Sequence, residues 1–333
     1  MKRLVFFTTI LISSILLLGG SFFLWSEQAQ APNNEGQENK KESVLLFAGD
    51  IMLNRGVEFY TKENGSDWRF PFLNIAGFLQ KADLVFGNLE SVISDKGEKQ
   101  GSIYSFRADP RALEGLVFAG FDVLSVANNH SFDYGAEAFL DSMQRLKDEN
   151  ITPVGFNHEP VVVEVQGVKI GFLAYTEQGS PLWDNPKASA SVPWMDSSRL
   201  PQLIEDVQAA KLVADIIVVS FHFGDEYQTK PSATQELLSK TAIGAGANLV
   251  IGHHPHVVQL IEPEDSSEPE RPVEQYQAGW IAYSLGNFVF DQGFSKETME
   301  GLLLEVIIED KKITRVTPRP IHLNYLFQPS LTK

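Results

Sequence analysis

The sequence predicts an α/β domain, a mostly buried sheet covered by helices, standing behind one N-terminal membrane-spanning helix. Three observations carry that reading. Short apolar runs recur along the chain with helix-like segments between them, the alternation expected of strands buried under helices. Five of those runs lead directly into Asp, Asn, Glu or His side chains. A longer, uncharged apolar stretch opens the chain.

That opening stretch, residues 4–25, follows Lys2 and Arg3 and includes Phe6, Phe7, Ile10, Leu16, Leu17 and Leu18. At ~1.5 Å of rise per residue it covers roughly 30 Å, the hydrocarbon thickness of a bilayer. The positive flank is expected to stay inside, with residues 1–3 cytoplasmic and the rest exported as a single-pass protein of the cell membrane. A cleaved signal peptide is the competing reading, with Ala29-Gln30-Ala31 as a small-residue site, but Pro32 directly after it disfavours cleavage. Residues 26–42 are polar, with Gln28, Gln30, Asn33, Asn34 and Gln37. Such a composition cannot bury enough apolar surface to fold and reads as a flexible tether.

The main domain is expected over residues 43–327. Its strands are the runs 44–48, 84–86, 123–126, 216–219, 249–251 and 281–285, and 161–164 with 168–173 form a hairpin across Gln166-Gly167. Asp109-Pro110 offers a helix cap followed by proline at the first helical position, ahead of Leu113, Leu116 and Val117. Further helices are expected over 135–149, 199–213 and 231–243. Residues 262–274, acidic and proline-containing, read as an exposed loop, and 301–308 with 313–316 as a closing hairpin. No internal repeat of fixed period occurs.

Composition excludes several functions. The formal net charge of -16 argues against a nucleic-acid partner, because phosphate recognition begins with clustered lysine and arginine. The chain has no cysteine, so it has no disulfide, thiolate zinc site, catalytic thiol or lipid-anchoring cysteine.

The chemistry lies at the strand ends. Run 44–48 leads to Gly49-Asp50, 84–86 to Gly87-Asn88-Leu89-Glu90, and 123–126 to Ala127-Asn128-Asn129-His130 with Asp133 beyond. Run 216–219 leads to His222 and then Gly224-Asp225-Glu226, and 249–251 to Gly252-His253-His254-Pro255-His256. In open α/β sheets the functional crevice lies beyond the carboxyl ends of the strands, so parallel neighbours would bring these groups together. On an extended segment His254 and His256 share a side, while His253 faces away or caps the turn. Carboxylates with imidazoles and an amide suit zinc, manganese or iron. One or two ions fit, and two sharing a carboxylate suit in-line attack on phosphorus.

Taken singly, each group has a plainer reading: a turn or helix cap for Asp50, turn residues for Asn88 and Asn129, a core imidazole for His222. Taken together, five of the seven histidines fall in three strand-end clusters beside acids and amides, which favours a joint site. His158 and His322 show no such company and read as structural.

The motifs F-A-G-D-I-M at 47–52, G-N-L-E at 87–90, A-N-N-H-S-F-D-Y-G at 127–135, S-F-H-F-G-D-E-Y at 220–227, G-H-H-P-H-V at 252–257 and Y-S-L-G-N-F-V-F-D-Q at 283–292 resemble the CapA family of poly-γ-glutamate capsule biosynthesis proteins. That family's fold is similar to calcineurin-like metallophosphoesterases. The resemblance implies a four-layer αββα sandwich. It implies that Asp50 is a metal ligand, that Asn88 or Glu90 takes the bridging position, and that Asn129, His222, His254 and His256 complete the coordination. His130 and Asp133 become the catalytic groups, while Asn128, Glu226, Tyr227 and Asn287 support the site or bind substrate. Two departures stand out: Met52 occupies the place of a ligating histidine, and Gly87-Asn88 that of an aspartate. Three functions follow as expectations. The first is a metal-dependent, hydrolase-like protein of capsule synthesis or export, working with membrane synthase subunits on an anionic polymer. The second is a non-catalytic polymer- or synthase-binding subunit, and the third an exported phosphoesterase of nucleotides or cell-wall phosphates.

Overall fold

The computed structural model describes residues 42–262, 267 and 269–332. The expected anchor over 4–25 and the expected tether up to residue 41 lie outside the described residues, as does part of the expected 262–274 loop. Among the described residues no helix is long and apolar enough to cross a membrane.

Along the chain the elements are β1 (Ser43–Ile51), α1 (Arg55–Glu63), α2 (Ala76–Leu79), β2 (Leu84–Leu89), β3 (Val92–Ile93), β4 (Arg107–Ala108), α3 (Leu113–Ala119), β5 (Val123–Ser125), α4 (Gly135–Asp148) and β6 (Thr152–Val154). There follow β7 (Val161–Val165), β8 (Val168–Thr176), α5 (Leu200–Ala210), β9 (Ile216–His222), α6 (Ala233–Ala245) and β10 (Leu249–His253). The last six are β11 (Glu274–Tyr276), β12 (Gly279–Ala282), β13 (Asn287–Val289), β14 (Glu300–Glu309), β15 (Lys312–Leu323) and β16 (Pro329–Leu331).

Two large sheets result. The first runs β16-β15-β14-β1-β2-β5-β6, with β13 also paired to β1; the second runs β11-β12-β10-β9-β8-β7. Strands β1, β2, β5 and β6 are mutually parallel, as are β8, β9, β10 and β12. The expected strand 281–285 is shifted to β12, and the expected helix 199–213 is shortened to α5. Both expected hairpins form, β7-β8 and β14-β15. Gln166 and Gly167 both take positive φ, as do Asp310 and Lys311, the backbone that a tight two-residue turn demands.

Side-chain alternation explains the layering. In β8, β9 and β10, Ile170, Phe172, Ile216, Val218, Leu249 and Ile251 join one core shared with the first sheet. Leu173, Tyr175, Ile217, Val219, Phe221 and Val250 point the other way, into a second core with Leu203 and Val207 of α5 and Leu238 and Ala242 of α6. Phe86 of β2 stacks on Phe172 of β8 at 5.6 Å, which joins the sheets face to face. Leu116 of α3 and Phe139, Met143 and Leu146 of α4 pack into the first core. One cap appears where the sequence placed it, at Asp109. Asp109 accepts from Arg111 N, and Ser232 forms a capping box with Gln235 at the start of α6.

Two motif glycines have a steric reason. A Cβ on Gly49 would lie 1.9 Å from Gly286 O, and one on Gly252 would lie 1.9 Å from Tyr283 O. The chain that follows β12 therefore passes directly against the ends of β1 and β10, closing the floor of the site.

Candidate functional site

The carboxyl ends of β1, β2 and β5 in one sheet meet those of β9 and β10 in the other. The single-sheet crevice expected from the sequence is corrected to the common rim of two sheets. Asp50 and Asn88 are register partners on β1 and β2, and Asn287 of β13 is the partner of Asp50 on its other side. His222 and His253 are likewise paired across β9 and β10. Parallel register thus places ligand-type side chains at one level of each sheet.

Asp50 is fully buried. Its Oδ1 accepts from Asn88 Nδ2 at 2.8 Å and its Oδ2 from the backbone N–H of His254 at 3.1 Å. The imidazoles of His253 and His256 each stand 3.4 Å from its carboxylate. Burial opposes ionisation of Asp50, but these two histidines outweigh it and hold the carboxyl well below the usual range. Glu90 is also fully buried. Its Oε1 lies 3.7 Å from His130 Nε2, 3.7 Å from His256 Nε2 and 3.9 Å from His222 Nε2. Burial, with the charges of Asp50, Glu226 and Asp133, pushes its carboxyl well above the usual range.

His222 Nε2 donates to Asn129 Oδ1 at 2.8 Å, and Asn88 Nδ2 reaches His222 Nδ1 at 3.3 Å. Asn128 ties the loop to β2 by donating to Leu89 O at 2.9 Å and to Asn88 Oδ1 at 3.3 Å, while its own Oδ1 accepts from His130 N. Burial lowers the basicity of His222 and brings that of His254 down to about 3. His256 Nδ1 is 3.1 Å from Asn287 Oδ1, and Asn287 Nδ2 donates to Gln292 and to Thr298 O.

The extended reading of 253–256 does not hold. Strand β10 stops at His253, and His254 and His256 take left-handed backbone at φ 98° and 60°. Such backbone is costly for a residue with a Cβ and persists where the surroundings enforce it. The turn still brings the rings of His254 and His256 within 5.8 Å. His253 does not face away, because its Nδ1 is the atom beside Asp50 Oδ1.

A cavity of about 800 Å³ opens over the centre, and its walls include His130, Asp133, Glu226, Tyr227 and His256. His130 Nδ1 bonds Asp133 Oδ2 at 2.7 Å, and the ring stacks on Phe106 at 3.8 Å. Tyr227, at the edge, accepts from Gln292 Nε2 at 3.2 Å, and burial with the Glu226 charge pushes its hydroxyl up to about 12.

The donor set fits a divalent ion. Glu90, His254 and His256 offer ligand atoms within 4.8 Å of one another, as do Asp50, Glu90 and His222, so Glu90 belongs to both groups. Glu90 Oε1 and His254 Nδ1 are buried without a hydrogen-bond partner among the described residues, a costly arrangement that a cation would relieve. Met52 takes no part, being buried with its sulfur accepting from Asn54 N at 3.3 Å.

Sequence reasoning passed over Arg55, Phe106 and Asp291. Arg55 bonds Asp291 through Nε at 3.0 Å and Nη2 at 2.6 Å, and its guanidinium lies 5.1 Å from the Phe106 ring centre. Asp291 lay within the 283–292 motif and was legible there; Arg55 and Phe106 carry no signal apart from their neighbours.

Fold and site together define a class: two-sheet α/β proteins with an acid, amide and imidazole centre at the shared carboxyl ends of parallel strands. Within it the chain belongs to the family described as bacterial capsule synthesis protein PGA_cap, whose model it matches over residues 44–292. It is 30% identical to the capsule biosynthesis protein CapA of Bacillus anthracis, an alignment covering 90% of this chain and 72% of that one. Identity to the PGA biosynthesis protein CapA of Bacillus subtilis (strain 168) is 31%, over 90% of this chain and 77% of its relative. Among solved structures, a phosphatase from Mycoplasma pneumoniae superposes with a TM-score of 0.49 at 16% identity, over 85% of this chain and 94% of that one.

Proposed function

We propose that this chain is a membrane-anchored, extracytoplasmic protein of poly-γ-glutamate capsule synthesis or export, whose buried centre holds one or two divalent ions and acts on a phosphoester or amide bond. The observation that carries the metal reading is Glu90 Oε1, a buried and unbonded carboxylate oxygen within 4 Å of three imidazole nitrogens. Asp50, Glu90, Asn129, His222, His254 and His256 would hold the ions, with Glu90 shared. A divalent ion there would supply Lewis-acid charge to a substrate oxygen.

The chain's own residues supply the rest. Asp133 fixes His130 through Nδ1, and Nε2, which Asn129 Nδ2 meets at 3.2 Å, would hold or deliver a proton at the leaving oxygen. Asn287 fixes the tilt of His256 and Asn128 the height of the His130 loop, as outer groups around metal sites do. The capsule role follows from family membership and from the relatives' names, and the anchor from the apolar stretch 4–25. The working domain, expected over residues 43–327, also takes in β16, and capsule synthase subunits are its membrane partners.

Met52 and Asn88 favour a second reading, a non-catalytic subunit that uses its ions to bind polymer carboxylates. One set of measurements separates the two. Metal analysis and anomalous scattering on the purified chain should find ion bound at Glu90. Assays with a generic phosphodiester and with poly-γ-glutamate should then give turnover. Polymer binding without turnover selects the subunit reading, and a protein that holds no divalent metal overturns both.

A further inference from the structure

The cavity over the centre is acidic, as is the chain as a whole. Asp133, Glu226 and Asp291 line it, and Arg55 is the only lysine or arginine among its lining residues. An anion entering this space meets repulsion at most of its walls, so the position of that single cation decides where the anion can rest.

Arg55 is built into place. Asp291, whose side chain is 9% exposed, takes Arg55 Nε and Nη2 in a two-point fork and also accepts from Gly56 N at 2.9 Å. Nη1 takes no part in that pairing. The guanidinium lies 5.1 Å from the Phe106 ring centre, and the same ring stacks on His130. One phenyl ring therefore spaces the cation from the imidazole that faces Glu90. Arg55 itself has φ 53°, a left-handed backbone that costs free energy in a residue with a Cβ and is retained where placement of the side chain matters. A surface arginine making an ordinary ion pair needs none of this.

We propose that Arg55 is the anion clamp of this cavity, a fixed guanidinium that receives a carboxylate or phosphate group of the substrate away from the reacting bond. The proposal rests on the metal-centred reading for its substrate class, since a polymer with a carboxylate on every residue offers one anion to the centre and the next to Arg55. A guanidinium already held by Asp291 loses little freedom when it binds a second oxyanion, and its planar shape matches two oxygens at once. Lysine at this position keeps the charge and loses both the fork and the stack.

The test is titration calorimetry on the full-length chain in detergent, with a γ-linked triglutamate peptide in one arm and inorganic phosphate in the other. Each arm is run on chelator-treated and on metal-loaded protein. Arg55→Ala and Arg55→Lys are both expected to weaken binding by about tenfold or more in either metal state, with the fold retained. Should Arg55→Ala fail to fold, Arg55→Lys carries the comparison. Arg55-dependent binding of the peptide assigns the clamp to carboxylates, and Arg55-dependent binding of phosphate alone assigns it to phosphate esters. Wild-type affinity for both probes in the folded variants overturns the proposal, and so does a wild-type chain that binds neither. The chelator-treated arm keeps this result separate from the metal reading, because Arg55 is no metal ligand and its contribution is read without the ion.

Discussion

His130 Nδ1 sits 2.7 Å from Asp133 Oδ2, and this contact decides which ring nitrogen faces the cavity. Asp133 Oδ2 also accepts from Phe106 N at 2.7 Å, so the carboxylate is fixed before it fixes the imidazole. His130→Ala is therefore expected to lower turnover of a phosphodiester by ~10²-fold or more with metal content unchanged. Asp133→Asn should cause a smaller loss, because the ring remains but its tautomer is no longer enforced. Wild-type turnover in His130→Ala would remove that residue from the mechanism.

Glu90 is the one acid common to both ligand groups. Glu90→Gln should lose most bound metal in elemental analysis, since either group then lacks its shared carboxylate. The same variant should be more stable to unfolding than wild type once both are stripped of metal, by about 1–3 kcal/mol of relieved carboxylate burial. Retention of full metal content would place the ions elsewhere.

Asn287 touches His256 but belongs to neither ligand group. Truncation to Ala frees that ring to turn. Metal affinity is expected to fall ~10- to 100-fold while the fold persists, as read by competition with a chelating dye. An unaltered dissociation constant would leave Asn287 with a purely structural part.

His158, which shows no partners in the sequence, bridges two aspartates, with Nδ1 2.7 Å from Asp206 and Nε2 3.0 Å from Asp184. Its burial opposes protonation, yet the two carboxylates raise its pKa from the ordinary 6.5 to about 9. A raised folded pKa adds stability that is fully present below about 6.5 and is lost as pH rises through about 9. Wild-type melting temperature should fall across that window more steeply than that of His158→Gln. Parallel curves for the two proteins would refute the linkage.

Legibility varied with range. Hairpins at Gln166-Gly167 and Asp310-Lys311, and the cap at Asp109, depend on neighbours within four residues, and those neighbours are visible in sequence. Helix α1 and strands β6 and β13 were missed. Their apolar surfaces are short, and pairing with β5 or β1, which lie far away in the chain, holds the two strands in place. The site's residue types were legible because strand ends carried them. Their contacts were not. On an extended chain His253 faces away or caps the turn, whereas the left-handed turn at His254 leaves it beside Asp50.

By itself the sequence determined which side chains could hold an ion, which strands carried them, and which family the order of motifs belongs to. Tertiary structure alone decided that the ligand groups come from two sheets rather than one, that Glu90 and not Asn88 stands at their centre, and that Arg55 faces the cavity. The physical reason is that strand register and backbone handedness are local, whereas the approach of two sheets is set by burying Phe86 against Phe172. That packing free energy is summed over a whole core, and no short stretch of sequence contains it.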